Sequence, residues 1–333
     1  MTTPLYFVGL DVGGTTMKAG VVDDCGKPVA EPISLPTEPE RGQDKGLERM
    51  DETIRLAVSE AKLKLEQIAA IGVATPGTMD IAGGIILDPP NLKPWRNVHV
   101  RRHIERTFKL PTAFQNDANA AAYGEYWVGA GKDVQSMVLF TLGTGIGGGI
   151  IMDDRVLEGQ HSHGGELGHM RIEMTNPRLC GCNRRGCLEA YASASSVVKR
   201  TFEALDADGG KSALHGMFRS HGELTAKDVF IAADKGDALA KQLVDQTAYY
   251  LAVGTTNMLH SIDPDMVAFA GGMTAAGESF IERIRHYVRE LAFPVPAERT
   301  EIRYALLGSH AGFIGAAGCG RQVYQRSLEG KKG

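Results

Sequence analysis

No stretch of this chain is apolar enough to cross a bilayer, and its start, MTTPLYFVGLDVGG, lacks the basic region, apolar core and small-residue cleavage site of a secretory signal. Neither charge dominates: 36 Lys and Arg stand against 40 Asp and Glu, a formal net charge of −4. No basic surface is therefore offered to nucleic acid or anionic lipid. Cysteine is scarce, five in 333 residues. These absences predict a cytoplasmic protein with reduced thiols. The length suits two domains of ordinary size, and 43% hydrophobic with 23% charged residues is an ordinary globular balance. Glycine is the exception to this plainness: there are 41, well above the average usage of roughly 7%.

Much of that glycine sits in a few clusters, and two of these share one layout. An apolar run from Leu5 to Val12 meets Gly13-Gly14-Thr15-Thr16, and a second mostly apolar run, Met17 to Val22, follows. Further on, MVLFTL meets Gly143-Thr144-Gly145-Ile146-Gly147-Gly148-Gly149, then IIMDD. Each reads as strand, tight turn, strand, and the pair as an internal pseudo-repeat with one hairpin per domain. Glycines let consecutive N–H groups converge on an anion, which suits phosphate oxygens, and threonine adds a hydroxyl donor. Asp11, just before the first turn, can hold a magnesium ion directly or through its waters. Either hairpin alone could be a plain sheet turn; the repeated layout argues for phosphate. Gly143-x-Gly145-x-x-Gly148 matches the dinucleotide fingerprint, but that motif needs a helix next, and Ile150-Ile151-Met152 is a strand-like run. Gly210-Lys211-Ser212 ends like a P-loop, yet Leu205 stands where its first glycine belongs.

A third glycine-bearing segment, Gly164 to Glu189, carries His169, Cys180, Cys182 and Cys187 at metal-ligand spacing. A closed set of four such ligands makes a structural zinc site. C-x-C-x4-C is not the commonest finger spacing, and a disulfide with a spare thiol is the alternative. Bound metal would pin a loop that presents Glu166 and Glu189 at fixed positions, carboxylates suited to a polar ligand. Cys25 and Cys319 stand alone and read as buried thiols.

Between the hairpins, Gly72 to Gly77 runs from strand into turn, and a loop with Asn91 and Trp95 follows. Phe114 to Asp117 reads as a strand end, and the alanine-rich run from Ala118 as a helix with Asn116 or Asp117 as its N-cap. Asp117 has two readings: a helix cap, or a general base accepting a proton from a substrate hydroxyl.

In order, Asp11-Val12-Gly13-Gly14-Thr15-Thr16-Met17-Lys18, Asn116-Asp117-Ala118-Asn119, Gly143 to Gly149, Gly165-Glu166-Leu167-Gly168-His169 and Cys180-x-Cys182-x4-Cys187-x-Glu189 resemble the motifs of the ROK family of sugar kinases and sugar-responsive repressors. The resemblance runs from Leu5 to a final helix around Ala311 to Gln325. It implies an α/β protein of actin-like ATPase (ribonuclease H-like) fold, two α/β domains around a cleft. It also implies an ATP-dependent hexokinase acting on a 6-hydroxyl. Asp117 resembles the catalytic base. Asn116, Glu166, His169 and Glu189 resemble the sugar ligands, with Gly77 and Asn91 lining the same pocket. Asp11, Gly13, Gly14, Thr15, Thr16, Lys18, Gly143, Thr144, Gly145, Gly271 and Gly272 fall on the ATP side, the last two after the strand Met266 to Ala270. His169, Cys180, Cys182 and Cys187 resemble the zinc set, the histidine serving sugar and zinc with one ring nitrogen each. ATP, Mg2+ and structural Zn2+ are the cofactors implied, and a homodimer the assembly. Glucose is the expected sugar, with N-acetylmannosamine or another hexose or N-acetylhexosamine as alternatives.

A non-catalytic sugar sensor or repressor is the reading from another class. A repressor would need a DNA-binding segment of roughly 60 residues ahead of the first phosphate strand, which here begins at Leu5. A dead sensor would be expected to lose Asp11, Asp117 or the glycines, all present. One departure from the family pattern is Asn183 in place of a glycine; Asn best tolerates a left-handed backbone, so the turn should survive.

The expected domains are residues 1–116 with 310–333, and 117–309. Leu47, Met50, Ile54, Val58, Ala61 and Leu65 predict a surface helix with one apolar face. Pro28 to Pro39 reads as an edge strand and loop, Asp206 to Gly222 as a surface insertion, and Asp237 to His260 as a long helix.

Overall fold

The computed structural model describes residues 4–329. They form two compact units. One takes the chain up to Val134, then Gly149–Gly165, then everything from Leu306; the other holds Gln135–Gly148 and Glu166–Ala305.

In the first unit, β1 (Tyr6–Val12), β2 (Thr16–Asp23), β3 (Ile33–Pro36), β4 (Ile68–Thr75) and a later strand build one sheet. Helix α1 (Gln43–Glu60) joins β3 to β4. A small antiparallel sheet follows, of β5 (Thr78–Asp80), β6 (Ile85–Asp88) and β7 (Val98–His99), then α2 (Val100–Phe108). The main sheet closes with β8 (Thr112–Asn116), which runs into α3 (Asp117–Val128). Its order is β3-β2-β1-β4-β8, with β3, which ends on Pro36, at the edge. β1 and β2 are antiparallel; β1, β4 and β8 run parallel.

Alternation along β1 and β2 sorts the core into two layers. Val8, Leu10, Met17 and Ala19 join Met50, Ile54 and Val58 of α1, the apolar positions expected on that helix. Phe7 and Val22 face the other way, toward the chain's last helix.

β9 (Ser136–Leu142) and β10 (Ile146–Met152) form the second glycine hairpin, the chain passing between units within β10. β11 (Arg155–Val156) returns beside β10. The second unit then runs through α4 (Glu189–Ala192), α5 (Ala194–Asp208), α6 (Leu214–His221), α7 (Ala226–Asp234) and α8 (Ala238–Ile262). It ends with β12 (Met266–Ala270), α9 (Glu278–Leu291), α10 (Pro294–Arg299) and β13 (Glu301–Tyr304). The second sheet has the order β11-β10-β9-β12-β13. The long helix predicted after Asp237 is α8, with Asp237 as its N-cap accepting from Ala240 N at 2.9 Å. The stretch read as a surface insertion instead folds in part, as α6 over its apolar residues.

The final helix, α11 (Ala311–Glu329), lies on the first sheet with Phe313, Ile314 and Ala317 against Phe7, Val22 and Ala70. The approach is flush: a Cβ on Gly72 would stand 1.6 Å from the Ala316 carbonyl oxygen. α3 packs along α11 through small residues, Ala120 and Ala316 meeting Ala74 of β4. The first unit extends past the expected boundary at Asn116. Residues 117–134 group with the first unit, where α3 packs on α11, and residues 149–165 group with it too.

Candidate functional site

Parallel register brings three strand ends of the first unit to one edge. Asp11 of β1 pairs with Ala74 of β4, and Thr75 of β4 with Asn116 of β8. Ligands of open α/β sheets bind beyond these carboxyl ends. Asp11, the Pro76-Gly77 turn and Asn116-Asp117 therefore share an edge although they are far apart in sequence.

The first glycine turn is closed by Gly13 N donating to Thr16 O at 2.9 Å, with Thr15 and Thr16 exposed. Thr37 buttresses it: its Oγ1 donates to Gly13 O at 2.7 Å and its N to Thr15 O at 2.9 Å. Gly14 lies against the backbone of Asn91, and Gly77 against Pro89, so the loop of Gly77 and Asn91 adjoins the turn. Lys18 lies across from Asp11 in the ladder, and its Nζ donates to Ser309 O at 2.9 Å, leaving two further N–H donors.

Asn116 is the N-cap of α3: its Oδ1 accepts from Ala118 N at 2.9 Å and Asn119 N at 3.2 Å. Its amide nitrogen stays available as a donor. Asp117 Oδ1 also accepts from Ala118 N, at 2.8 Å. Buried Gln115 steadies the cap, its Oε1 accepting from Asn116 N at 2.8 Å and Asn119 Nδ2 at 3.2 Å. Burial first, then the neighbouring Asp117 carboxylate, push Asp11 up to about 6, against the opposing pull of Lys18. Two acidic groups at one sheet edge, one of them reluctant to ionise, fit an oxygen-binding divalent cation such as Mg2+.

In the second unit, β9 and β12 run parallel with Thr141 opposite Ala270, so the Gly143 turn and the Gly271-Gly272 loop emerge side by side. Gly271 has φ +96° and lies against the Leu142 carbonyl. Thr144 is exposed at the turn's tip, and Gly145 lies beside Glu189. Glu189 Oε2 accepts from Ile146 N at 2.9 Å, and its Oε1 from Cys180 Sγ at 3.2 Å.

Glu166 precedes and His169 ends a single 3-10 turn, Leu167–His169, anchored by buried Leu167. Both side chains are exposed. A small hairpin carries the cysteines, with Leu179 bridged to Arg185 and Cys180 N donating to Arg184 O at 2.8 Å. Asn183 sits in its turn at φ +61°, the left-handed conformation its substitution for glycine requires. One ligand atom from each of His169, Cys180, Cys182 and Cys187 lies within 4.8 Å of the others. Cys182 Sγ and Cys187 Sγ are 3.8 Å apart, as are Cys180 Sγ and His169 Nδ1. A tetrahedron with Zn–S bonds of about 2.3 Å has edges of about 3.8 Å, so the set fits zinc. Nδ1 faces the cysteines, leaving Nε2 of the ring for another partner. Cys319 is buried as expected; Cys25 is exposed, in the turn after β2, where its N donates to Asp23 Oδ1 at 2.9 Å.

Thr37 and Gln115 escaped the sequence reading. Thr37 lies in a proline-flanked loop whose docking on Gly13 has no local signature. Gln115 has only its place beside Asn116 to mark it.

Two α/β units, each with a glycine turn at a sheet edge, give the actin-like ATPase fold of sugar kinases. The chain belongs to the ROK family, matching it over residues 7–322. It is similar to the glucokinase of Halalkalibacterium halodurans, 35% identical over 93% of this chain and 93% of that protein. The ROK hexokinase of Thermus thermophilus is 32% identical, with a TM-score of 0.82 over 98% of this chain and 100% of that one. The ROK glucokinase of Streptomyces griseus, solved in complex with glucose and AMPPNP, is 31% identical, with a TM-score of 0.76 over 95% and 99%. Among the described residues no helix is long and apolar enough to cross a membrane.

Proposed function

We propose that this protein is an ATP-dependent glucokinase, transferring the γ-phosphoryl group to the 6-hydroxyl of glucose. The observation that carries the reading is the shared sheet edge of the Gly13-Gly14 turn, Asp11 and Asp117, in a chain of this family. Gly13, Gly14, Thr15 and Thr16, with Gly143, Thr144 and Gly145, bind phosphate oxygens through N–H and hydroxyl donors. Lys18 adds positive charge, and Gly271-Gly272 receives the adenosine. Asp11 would hold Mg2+, which would neutralise phosphate charge in the transition state.

Asn116, Glu166, His169 and Glu189 hydrogen-bond the sugar hydroxyls, with Asn91 and Gly77 shaping the pocket. Asp117 orients the attacking hydroxyl and takes its proton late, so a carboxylate of ordinary basicity suffices. His169, Cys180, Cys182 and Cys187 would hold Zn2+, which would supply a structural cross-link. Zinc at that set would keep Cys180 as a thiolate with no proton to donate, which would leave Glu189 Oε1 free to accept from a sugar hydroxyl. His169 gives Nδ1 to the cysteine set and Nε2 to a hydroxyl. The reading carries with it a homodimer and a cytoplasmic setting, where three thiols stay reduced.

Asp117→Asn tests the mechanism. It should lower kcat by about 100- to 10,000-fold, the usual contribution of a general base, with sugar binding still measurable by calorimetry. Near-normal turnover in this variant removes Asp117 from the role.

A further inference from the structure

A cavity of about 500 Å3 lies wholly within the first unit, walled by β8, α2, β11 and the later turns of α11. Its size falls in the range of small-molecule sites, roughly 300–1,000 Å3. None of the residues assigned above to sugar, nucleotide or metal lines it.

The wall is strongly cationic. Arg101, Arg155 and Arg326 enter it against one carboxylate, Glu158. Among the described residues none of the three arginines is ion-paired. Arg101 is used structurally, its Nη1 donating to Ala82 O at 2.8 Å and its Nη2 to Ile81 O at 2.6 Å, while its buried Nε has no partner. Arg326 reaches Gln322 Oε1 at a long 3.4 Å. Glu158 is occupied by Gln115, whose Nε2 donates to its Oε1 at 2.9 Å. Burial keeps the Cys319 thiol in the wall protonated, its pKa pushed up to about 12, so it adds no negative charge.

We propose that this cavity binds a small phosphorylated metabolite, its phosphate held by Arg155 and Arg326. Two unpaired guanidinium groups match the charge of about −1.5 to −2 on a phosphomonoester, and their forks suit its oxygens. A monocarboxylate would leave one of them uncompensated. The site also has a link to the chemistry. Gln115 bonds Glu158 in the wall with one end of its amide and the Asn116 cap beside Asp117 with the other. An occupant that draws on Glu158 or Gln115 therefore shifts the residues that hold sugar; this link rests on the proposed kinase reading, whereas the site does not.

The test is calorimetric titration of the full chain with glycerol 3-phosphate, with lactate as the carboxylate control. Wild type should show saturable single-site binding of the phosphate probe and none of lactate. Arg155→Ala/Arg326→Ala should weaken it by about tenfold or more, and Arg155→Lys/Arg326→Lys should recover part of that loss, since charge survives without the fork. Both pairs should keep wild-type melting temperatures and basal turnover. Absence of binding by wild type up to about 10 mM, or equal binding by wild type and the alanine pair, overturns the site. A second titration, of glucose with the probe present, reads the link: affinities must shift reciprocally. Unchanged glucose affinity, with the probe bound, removes the Gln115 link and leaves the site standing.

Discussion

Asp11 and Gly312 touch: a Cβ on Gly312 would stand 2.1 Å from Asp11 Oδ2. The first turn of α11 thus fixes the carboxylate assigned to magnesium, across nearly the whole length of the chain. Hydrogen is the only side chain the contact admits. Gly312→Ala should displace the Asp11 carboxylate and lower kcat/KM for ATP by about 100-fold, the cost of a misplacement near 1 Å, while sugar affinity by calorimetry holds. Unchanged ATP kinetics would mean that Asp11 does not need that position.

The raised pKa of Asp11 gives a pH dependence of definite sign. The folded protein holds its proton up to about pH 6, whereas the ordinary value is 3.8. The folded state therefore binds more protons in that window, and stability falls as pH rises through it. The cost of ionising Asp11 is complete above pH 6 and absent below 3.8. Without nucleotide or metal, Asp11→Asn should be more stable than wild type at pH 7, by about 2–3 kcal/mol. The advantage should disappear as pH falls toward 4. Thermal melts of both proteins across that range check this; a gap independent of pH contradicts it.

Zinc is expected at one ion per chain. Cys182→Ser should remove it and raise KM for the sugar by about 10- to 100-fold, with a smaller rise in KM for ATP, because the metal positions His169 and Glu189, and Glu189 also accepts from Ile146 N beside the Gly143 turn. Elemental analysis and steady-state kinetics read both halves. Zinc retained by the variant, or sugar KM unaffected by its loss, counts against the assignment.

Features encoded locally were legible in the sequence. Both glycine hairpins, the strand Met266–Ala270 and the cap before Ala118 follow from residue-by-residue patterns of apolar runs, turn residues and helix formers. The left-handed Asn183 could be read because few residue types tolerate that backbone. Illegible features were those made by distant contact. The pairing of α3 with α11 moved Asp117 into the first unit, and no local pattern announces it. Thr37 under the Gly13 turn, and the double engagement of Glu189 by Ile146 and Cys180, arise from loops meeting in space.

The most direct test of the central claim is ADP release from magnesium-ATP by the purified protein with glucose, beside N-acetylmannosamine, N-acetylglucosamine, fructose and allose. Rapid sugar-dependent release is expected with glucose, with glucose 6-phosphate as the product and slower turnover on the others. Folded, zinc-loaded protein that binds glucose yet releases no ADP with any of these sugars would contradict it, and would make the chain a sugar sensor.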